Sequence, residues 1–374
     1  MSKARELAEL GAAYDSGALS NRNLIINGAM NLDQRNSGSA TTNGSSGYTT
    51  VDRWKAYDNL SAGASTAQQV TDVPDNQGFK NSLKFTVTTA DSDLGTGEVL
   101  FIQQSIEGNN FSVLRYGTSS AKTSTISFWV KSSETGSFGG SLQRSVNYDR
   151  QYGFTYTISA ANTWEYKTVT IPGDTGGTWP TDNTAGASLM FNLGSGSSRL
   201  ISTANQWGTT SLGFQVSGTK NIAGTVNATF FVTGVQMEVG TEATPFEHRS
   251  FGDELRRCQR YYEVLNQNSR NSAGGDGFNN VATGASNGSN VYGNLSFKVT
   301  KRGRPAVAAE GSAKFRAFGD GTYANLVAGE FYSPAVETVR IRVDTNGFSA
   351  GQAGAIEFDG ANSTNGFISI DAEL

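Results

Sequence analysis

Residues 229–264 read TFFVTGVQMEVGTEATPFEHRSFGDELRRCQRYYEV, and this stretch decides the fold. Its first third alternates with period two, which puts one row of side chains on a single face: Thr229, Phe231, Thr233, Val235, Met237 and Val239. A strand with one buried and one hydrated face requires that alternation. The pattern breaks at Gly240 and Pro245, and the polar segment SFGDELRRCQRYY follows. We therefore predict a strand, a turn, and then a helical or extended linker.

The sequence before this stretch repeats the same alternation in short runs. Two of the apolar rows are Leu83, Phe85 and Val87 in SLKFTVTT, and Ile126, Phe128 and Val130 in STISFWVKSS. Segments rich in Gly, Ser and Asn separate the runs, and none of them has the pattern of a helix. Short strands with such turns predict an antiparallel β-sandwich, since an α/β fold would need helices between its strands.

The sequence after this stretch begins with a polar gap, NQNSRNSAGGDGFNN, and continues with a second set of alternating runs. Their apolar rows are Leu295, Phe297 and Val299, then Val339, Ile341 and Val343, then Ile368, Ile370 and Ala372. We predict four parts: an N-terminal segment (1–20), a β-sandwich domain (21–249), a linker (250–265) and a smaller C-terminal β-sandwich domain (266–374). The N-terminal segment has the pattern of a short helix that begins after Ser2.

The composition favours a folded β-rich protein and argues against binding to nucleic acid. The 374 residues include Gly 45 and Pro 6, with 10% aromatic and 17% charged residues. A disordered chain would have fewer aromatic residues and more charge. The formal net charge is −4, and no basic run could follow a phosphate backbone.

Cysteine usage and hydropathy predict a soluble chain that folds in a reducing cytoplasm. Cys258 is the only cysteine, so no intrachain disulfide can form. The first residues, MSKARELAELGAAYDSG, lack the apolar core of a signal peptide. No segment approaches the roughly eighteen apolar residues of a membrane-spanning helix, so we expect no membrane contact.

Two motifs about two hundred residues apart resemble the ends of a domain found in bacteriophage tail-fibre and virion-associated proteins. The first is NRNLIINGAMNLDQRNSGS with GYTTVDRW after it, and the second is the strand, TPFEHRS turn and ELxxCQRYY segment. The resemblance implies a jelly-roll domain followed by a C-terminal β domain, a homotrimer, and exposure on the virion. It also implies that the N-terminal segment attaches to other virion proteins, with Leu7, Ala8 and Leu10 as candidate contacts.

The order of the strands also resembles that of carbohydrate-binding jelly-roll modules. FIQQSIEG, SFWV, WEYKTVTIP and TGVQMEVG follow one another as in that family. The resemblance implies that the first strand, Leu24–Asn27, lies beside the last, Phe231–Val239. It also implies that host cell-surface polysaccharide is the ligand.

Few residues could support catalysis, so we expect no enzyme, no cofactor and no metal site. His248 is the only histidine, and its place in TPFEHRS favours a buried or hydrogen-bonded structural role. Cys258 is expected to be a core thiol. No Walker loop, G-x-S-x-G or HExxH motif is present. A pair of carboxylates remains open, although the aspartates of the first domain lie mostly in turn-like sequence: Asp52, Asp58, Asp72, Asp75, Asp91 and Asp93. A structural calcium ion on loop carboxylates also stays open.

Aromatic residues in polar loops are the better candidates for binding sugars. Trp179 lies in GDTGGTWPTDN and Trp207 in STANQWGTT, and Tyr152 and Tyr116 lie near arginines, Tyr152 beside Arg150. An aromatic ring can stack on the apolar face of a pyranose. The remaining tryptophans lie in strand-like sequence, which predicts core positions or cross-strand pairs: Trp54, Trp129 and Trp164.

The function that these observations favour is that of a non-enzymatic tail fibre or receptor-binding protein that contacts host polysaccharide. A capsid decoration or head-fibre protein with the same sandwich is the first alternative. A glycan-degrading enzyme is the second.

Overall fold

The computed structural model describes residues 3, 21–44, 47–209, 212–265, 278–310, 315–319, 322–323, 330–344, 348–359 and 367–374. The chain divides into two compact units: unit 1 is Met1–Glu254 with Leu374, and unit 2 is Leu255–Glu373. The predicted attachment residues Leu7, Ala8 and Leu10 lie outside the described residues.

Unit 1 is built almost wholly from strands. In chain order they are β1 (Thr41–Thr42), β2 (Lys55–Asp58), β3 (Ala64–Val70), β4 (Ser82–Thr89), β5 (Val99–Glu107), β6 (Ser124–Ser132), β7 (Gly136–Arg144), β8 (Gln151–Ile158), β9 (Glu165–Ile171), β10 (Ala185–Ser195), β11 (Leu200–Ile201), β12 (Trp207–Gly208), β13 (Gln215–Val216) and β14 (Thr229–Val239). Between β1 and β14, the described residues include the single helical turn α1 (Gly108–Phe111) and the 3-10 turns Ser112–Leu114 and Ser197–Arg199.

Two six-stranded sheets face each other in the described part of unit 1. The first has the order β1-β3-β4-β14-β6-β9 and the second β12-β8-β7-β10-β5-β2. Every strand pair in them is antiparallel. Each sheet buries one row of side chains against the other, as Phe85 and Phe128 do in the first sheet and Leu189 and Phe191 in the second. The predicted jelly-roll sandwich is confirmed.

The prediction of which face of β14 is buried is wrong for the first half of the strand. Phe230 and Val232 enter the core, where Phe231 was expected, and the core row continues at Val235 and Met237. The register shifts between Thr233 and Gln236 because Gly234, at φ 61°, forms a β-bulge. One extra residue exchanges the two faces of a strand, so the alternation changes phase at the bulge.

The two ends of unit 1 lie side by side, as the resemblance to carbohydrate-binding modules implied. The amide of Leu24 donates to the Met237 carbonyl at 2.8 Å, and the amide of Val235 donates to the Gly28 carbonyl at 2.9 Å. The side chain of Asn23 donates to Val235 O at 3.1 Å and accepts from the Met237 amide at 3.0 Å. The first residues of the domain therefore lie beside its last strand, but the prediction that Leu24–Asn27 is a strand is wrong, since this segment makes only isolated hydrogen bonds to β14 and belongs to neither sheet.

The TPFEHRS turn forms hydrogen bonds that hold the first residues of the domain beside β14. The Arg249 guanidinium donates to Ile25 O at 3.0 Å and to Asn23 O, and it forms ion pairs with Glu247 and Glu254. Glu247 in turn accepts the Asn23 amide at 3.0 Å. The two sequence motifs, far apart along the chain, are thus one hydrogen-bonded structure that closes the sandwich.

His248 was expected to be buried or hydrogen-bonded, but it is exposed. Its ring packs against Phe79 and Phe246, with centroid distances of 5.3 and 4.9 Å. Its neighbours in sequence, Glu247 and Arg249, make the polar contacts of the turn. Cys258 is fully buried, as predicted.

The segment 250–265, predicted as a linker, is helix α2 (Phe251–Gln259) followed by a strand of unit 2. The hydroxyl of Ser250 accepts the Asp253 amide at 3.2 Å, which caps the start of the helix. Acidic residues occupy its first turn and arginines its last, which suits the helix dipole.

Unit 2 is also a β structure. Its strands are β15 (Tyr262–Leu265), β16 (Phe278–Ser286), β17 (Asn290–Ser296), β18 (Ala306–Glu310), β19 (Phe315–Gly319), β20 (Thr322–Tyr323), β21 (Glu330–Tyr332), β22 (Thr338–Asp344), β23 (Ala353–Asp359) and β24 (Phe367–Asp371). Among the described residues they form one sheet of order β15-β24-β18 and another of order β20-β19-β23-β16-β17-β22-β21. Their shared core includes the predicted rows Val339, Ile341 and Val343, and Ile368 and Ile370.

Candidate functional site

The five predicted glycan contacts lie together in unit 1. The Trp179 and Trp207 rings are 5.7 Å apart between centroids, and Tyr116 lies 5.2 Å from Trp179 and 5.5 Å from Trp207. Tyr152 lies 5.4 Å from Trp207. Arg150 forms an ion pair with Asp174, whose carboxylate also accepts the indole N–H of Trp179 at 3.1 Å. Sequence reasoning thus found residues that the fold brings together.

Most of this cluster is buried, however. Tyr116, Tyr152 and Trp179 are each at most 5% exposed. Burial raises the pKa of the Tyr116 hydroxyl, which lies 3.0 Å from the Ser124 hydroxyl oxygen. Trp207 is partly exposed, and its indole N–H donates to Pro172 O at 2.7 Å. Sugar contact by this cluster stays a prediction, and Trp207 and Arg150 are its accessible members.

A second candidate site lies on the outer face of the second sheet, opposite its buried row. Ala56, Leu100 and Ile102 enter the core, so the residues between them along β2 and β5 point the other way. The register places Tyr57 opposite Phe101 and Lys55 opposite Gln103. On the next strand, β10, Asn192 lies opposite Phe101 and Met190 lies opposite Gln103.

Aromatic rings form the base and one side of this site. Tyr57 and Phe101 stack with centroids 4.8 Å apart and an interplanar angle of 4°. Phe214, from the segment between β12 and β14, lies 5.8 Å from Phe101 and 5.8 Å from Tyr148. Tyr57, Tyr148 and Phe214 are each partly exposed. Parts of three aromatic rings are therefore exposed at this site, whereas most of the first cluster is buried.

The segment that carries Phe214 is fastened to the sheet through main-chain atoms. The Asn192 side-chain amide donates to Phe214 O, and the Gln143 side-chain amide donates to Gly213 O at 2.8 Å. The amide of Phe214 also donates to Arg199 O at 2.7 Å, which joins the segment to the residue that precedes β11. The protein's own hydrogen bonds therefore hold this segment against the sheet, and a groove lies between the two.

We call this space the groove; it has a volume of about 250 Å³. Its lining residues are Lys55, Tyr57, Asn59, Gly97, Val99, Phe101, Gln103, Tyr148, Met190, Arg199, Leu212 and Phe214. The volume lies just below the roughly 300–1,000 Å³ of typical small-molecule pockets. The groove therefore suits a small unit of a longer ligand that extends beyond it.

Polar groups in and beside the groove could bind hydroxyl groups. Gln103 Nε2 donates to the hydroxyls of Ser105 and Ser188 at 3.1 and 2.9 Å, which fixes the amide in one orientation. Asn192 Oδ1 and Gln143 Oε1 are buried and have no hydrogen-bond partner among the described residues. Buried amide oxygens are normally paired with protein, water or ligand. Asn192 and Gln143 are fully buried and do not line the groove, so the side-chain amides that the lining combines with its aromatic surface are those of Gln103 and Asn59.

Sequence reasoning missed this groove because it followed the buried rows of strands. A signal was present: KAYD in β2 and LFIQ in β5 place Lys55, Tyr57, Phe101 and Gln103 on the row that should be hydrated. Two aromatic residues on the outward row of adjacent strands are unusual for a solvated face. Phe214 carried no such signal, since it reaches the sheet through a loop.

The predicted structural tryptophans are placed as follows. Trp54 is fully buried in the core, and Trp129 lies opposite Tyr166 in the register, so both predictions are confirmed. Trp164 lies on the outer face of the first sheet, where its indole N–H donates to Asp72 at 3.0 Å and its ring meets the edge of Phe231.

The described residues contain no group of three or more His, Cys, Asp or Glu side chains that could hold a metal ion. In the same residues, no helix is both long and apolar enough to cross a lipid bilayer.

No protein-family model matches the chain, and no curated protein matches it. Solved structures of similar fold include the enzymatically active domain of tailspike protein 4 of bacteriophage CBA120, at 14% identity and a TM-score of 0.30. That match covers 58% of this chain and 21% of the tailspike chain.

Two carbohydrate-binding modules are also similar. One is the family 11 module from Clostridium thermocellum, in complex with a β-1,3-1,4-mixed-linked tetrasaccharide. It has 14% identity and a TM-score of 0.27, with 51% of this chain and 91% of that chain covered. The other is the CBM22-1 xylan-binding domain of Xyn10C from Paenibacillus barcinonensis, at 14% identity and a TM-score of 0.25, with 55% and 97% covered.

Proposed function

We propose that the protein is a non-enzymatic, glycan-binding component of a tailed-phage particle, and that unit 1 binds host-surface polysaccharide in its groove. The observation that carries the proposal is a groove that hydrogen bonds within the protein hold in place and that partly exposed aromatic rings and side-chain amides line. A preformed site loses little conformational entropy when its ligand binds.

The groove matches the two surfaces of a sugar ring. The C–H face of a pyranose is apolar and can pack on Tyr57 or Phe214, each of which is partly exposed. Its hydroxyls can bond to the side chains of Gln103 and Asn59, which line the same space. The groove is open, so a long polymer can pass through it while single sugar units occupy the base.

The lining supports binding without cleavage. A glycosidase of the common kind needs two carboxylic acids about 5–10 Å apart on either side of the scissile bond. None of the lining residues is Asp or Glu. A sugar that rests on Tyr57 and Phe214 would therefore meet neither a general acid nor a carboxylate nucleophile from the lining.

The placement on a phage particle is supported by the two sequence motifs and by what they do in the fold. The NLIINGAMNL and TPFEHRS motifs bond to each other through Arg249 and Glu247, which accounts for their occurrence together. In the finer form of the proposal, the protein is a homotrimeric tail fibre attached through residues 1–20. Three copies would raise avidity for a repeating glycan without new contacts in any one copy.

The groove is tested by measuring the affinity of single-site variants for polysaccharide from a susceptible host. Tyr57→Ala and Phe214→Ala should each lower affinity by about thirtyfold, which corresponds to about 2 kcal/mol for a central aromatic contact. Tyr166→Ala is the matched control, because this tyrosine is 44% exposed on the outer face of the opposite sheet. It should leave affinity unchanged.

Loss of binding in Tyr166→Ala with normal binding in Tyr57→Ala would move the site to the other sheet and refute the groove. Release of new reducing ends on incubation of the wild-type protein with the same polysaccharide would refute the non-enzymatic part. A variant that lacks Met1–Ser20 should bind glycan normally and fail to join particles. Normal incorporation would refute the attachment role, and a very high copy number per particle would favour a capsid decoration protein.

A further inference from the structure

The groove carries two positive charges and no negative one. Lys55 and Arg199 line it, and none of its other lining residues is charged. No carboxylate oxygen of the described residues lies within 4.0 Å of a nitrogen in either side chain. This is unexpected in a chain whose formal net charge is −4.

Each cation lies over an aromatic ring of the groove. The Lys55 Nζ is 4.8 Å from the centroid of Tyr57, and the Arg199 Cζ is 5.8 Å from that of Phe214. Contact with a ring face holds a cation in place and leaves its N–H donors free for an anion. The main-chain oxygen of Gly97, at 3.5 Å from Arg199 Nε, is the hydrogen-bond acceptor of that guanidinium among the described residues.

The carboxylates that are closest in sequence to the lining residues form hydrogen bonds or ion pairs with other groups. Asp58 bonds to the Ser65 hydroxyl, and Asp149 pairs with Arg144. Glu98 accepts the amides of Ser61 and Gly95 at 2.7 and 2.8 Å. The protein therefore supplies no counter-ion to the groove from these neighbours.

We infer that the ligand of the groove is an acidic glycan whose sugar rings carry carboxylates, with Lys55 and Arg199 binding the carboxylate while Tyr57 and Phe214 pack on the ring. This inference rests on the proposed function and adds the substrate class. A neutral sugar would leave both cations without a partner. An inorganic anion would leave the aromatic surface without one.

The state of Lys55 agrees with this assignment. Burial lowers the pKa of its ammonium group, because the charged form is partly removed from water and has no carboxylate beside it. A bound carboxylate would supply the missing charge partner. Arginine suits the second position, since its planar fork can bind both oxygens of a carboxylate.

The test uses the full chain and pairs of polymers that differ only in charge. Polygalacturonate, alginate and hyaluronate are each compared with their carboxyl-reduced form by calorimetric titration, and neutral xylan and mixed-linked glucan are included. At least one acidic polymer should bind ten times more tightly than its reduced form. Lys55→Gln and Arg199→Gln should each lower the affinity for that polymer about ten times more than they lower the affinity for its reduced form.

Lys122→Gln is the control, because Lys122 is exposed and does not line the groove. Equal binding of acidic and reduced polymers, or equal effects of the three lysine and arginine substitutions, would overturn the inference while glycan binding stood. Tighter binding of dextran sulfate than of every uronate polymer would overturn the carboxylate assignment. Failure of every acidic polymer to bind would overturn the inference, and failure of the host polysaccharide to bind as well would refute the proposed function itself.

Discussion

Replacing Arg249 by alanine should loosen both ends of unit 1 at once. This side chain is 5% exposed and bonds to the carbonyl oxygens of Asn23 and Ile25 near the start of the domain. It also forms ion pairs with Glu247 and Glu254 after the last strand. Alanine would remove all of these contacts and leave both carboxylates without their cation.

The expected loss follows from the contacts. Two hydrogen bonds from a charged donor contribute about 1.5–3 kcal/mol each. Removal of one member of a buried ion pair typically costs about 3–5 kcal/mol, and the Glu247 and Glu254 side chains are only 12% and 13% exposed. Since the same side chain makes both kinds of contact, the two values overlap. We expect the free energy of unfolding of unit 1 to fall by about 3–5 kcal/mol.

Tryptophan fluorescence in urea measures this loss for unit 1 alone. All five tryptophans of the chain lie before residue 255, so unit 2 contributes no tryptophan signal. Lys80→Ala is a matched control that removes one exposed positive charge, and it should change stability by less than about 0.5 kcal/mol. Arg249→Lys should fall between wild type and alanine, since lysine keeps the charge and loses the fork.

The pH dependence gives a second measurement. Burial opposes ionisation of Glu247, but the Asn23 amide and the Arg249 charge outweigh it and hold the pKa of Glu247 below its ordinary value. The stabilisation is therefore present above the ordinary pKa and is lost as pH falls through the lowered one. The difference between wild type and Arg249→Ala should shrink in that acidic range. A loss below about 1 kcal/mol at neutral pH, or a difference that grows in acid, would refute the reasoning.

Three further predictions concern the fold and the groove. Gly28→Ala should lower the free energy of unfolding of unit 1, measured in urea, by about 1–3 kcal/mol, because the added methyl group would overlap the main-chain oxygen of Val235 in β14. Gly44→Ala is the control: no atom lies within 4 Å of the added methyl group, so it should cost well under 1 kcal/mol. Burial raises the pKa of Asp52 to about 6, so protonated Asp52 should stabilise the fold in acid, and this contribution should be lost as pH rises through about 6. Between pH 4 and 7 the free energy of unfolding should therefore fall by about 2–3 kcal/mol because of this group, and Asp52→Asn should abolish that decrease. An unchanged pH dependence in Asp52→Asn would contradict the assignment. Asn192→Ala should cost about 1–2 kcal/mol and lower glycan affinity, because it frees the main chain at Phe214; unchanged affinity would show that the groove does not depend on this bond.

Part of the site could be predicted from the sequence, and part could not. Trp179, Trp207, Tyr116, Tyr152 and Arg150 were singled out as aromatic and basic residues in polar sequence, and the fold does bring them together. Their burial could not be predicted, because accessibility depends on which loops pack over which end of the sandwich.

In the groove, too, some features could be predicted from the sequence and others could not. Tyr57 and Phe101 are 44 residues apart, and their contact depends on the pairing of β2 with β5, which is a long-range register. Phe214 joins them because hydrogen bonds from Asn192 and Gln143 hold its loop against the sheet. Sequence periodicity states which side of a strand a residue occupies, but it does not state which strand is the neighbour.

The sequence by itself determined the strands, their turns and the two-part β architecture, because burying one face of a pleated strand demands a period of two that can be counted locally. The tertiary structure alone decided the change of phase at Gly234, the meeting of the terminal motifs at Arg249, and the groove with its two cations. Each of these depends on atoms far apart along the chain that approach only when two sheets pack, and local periodicity contains no information about that distance.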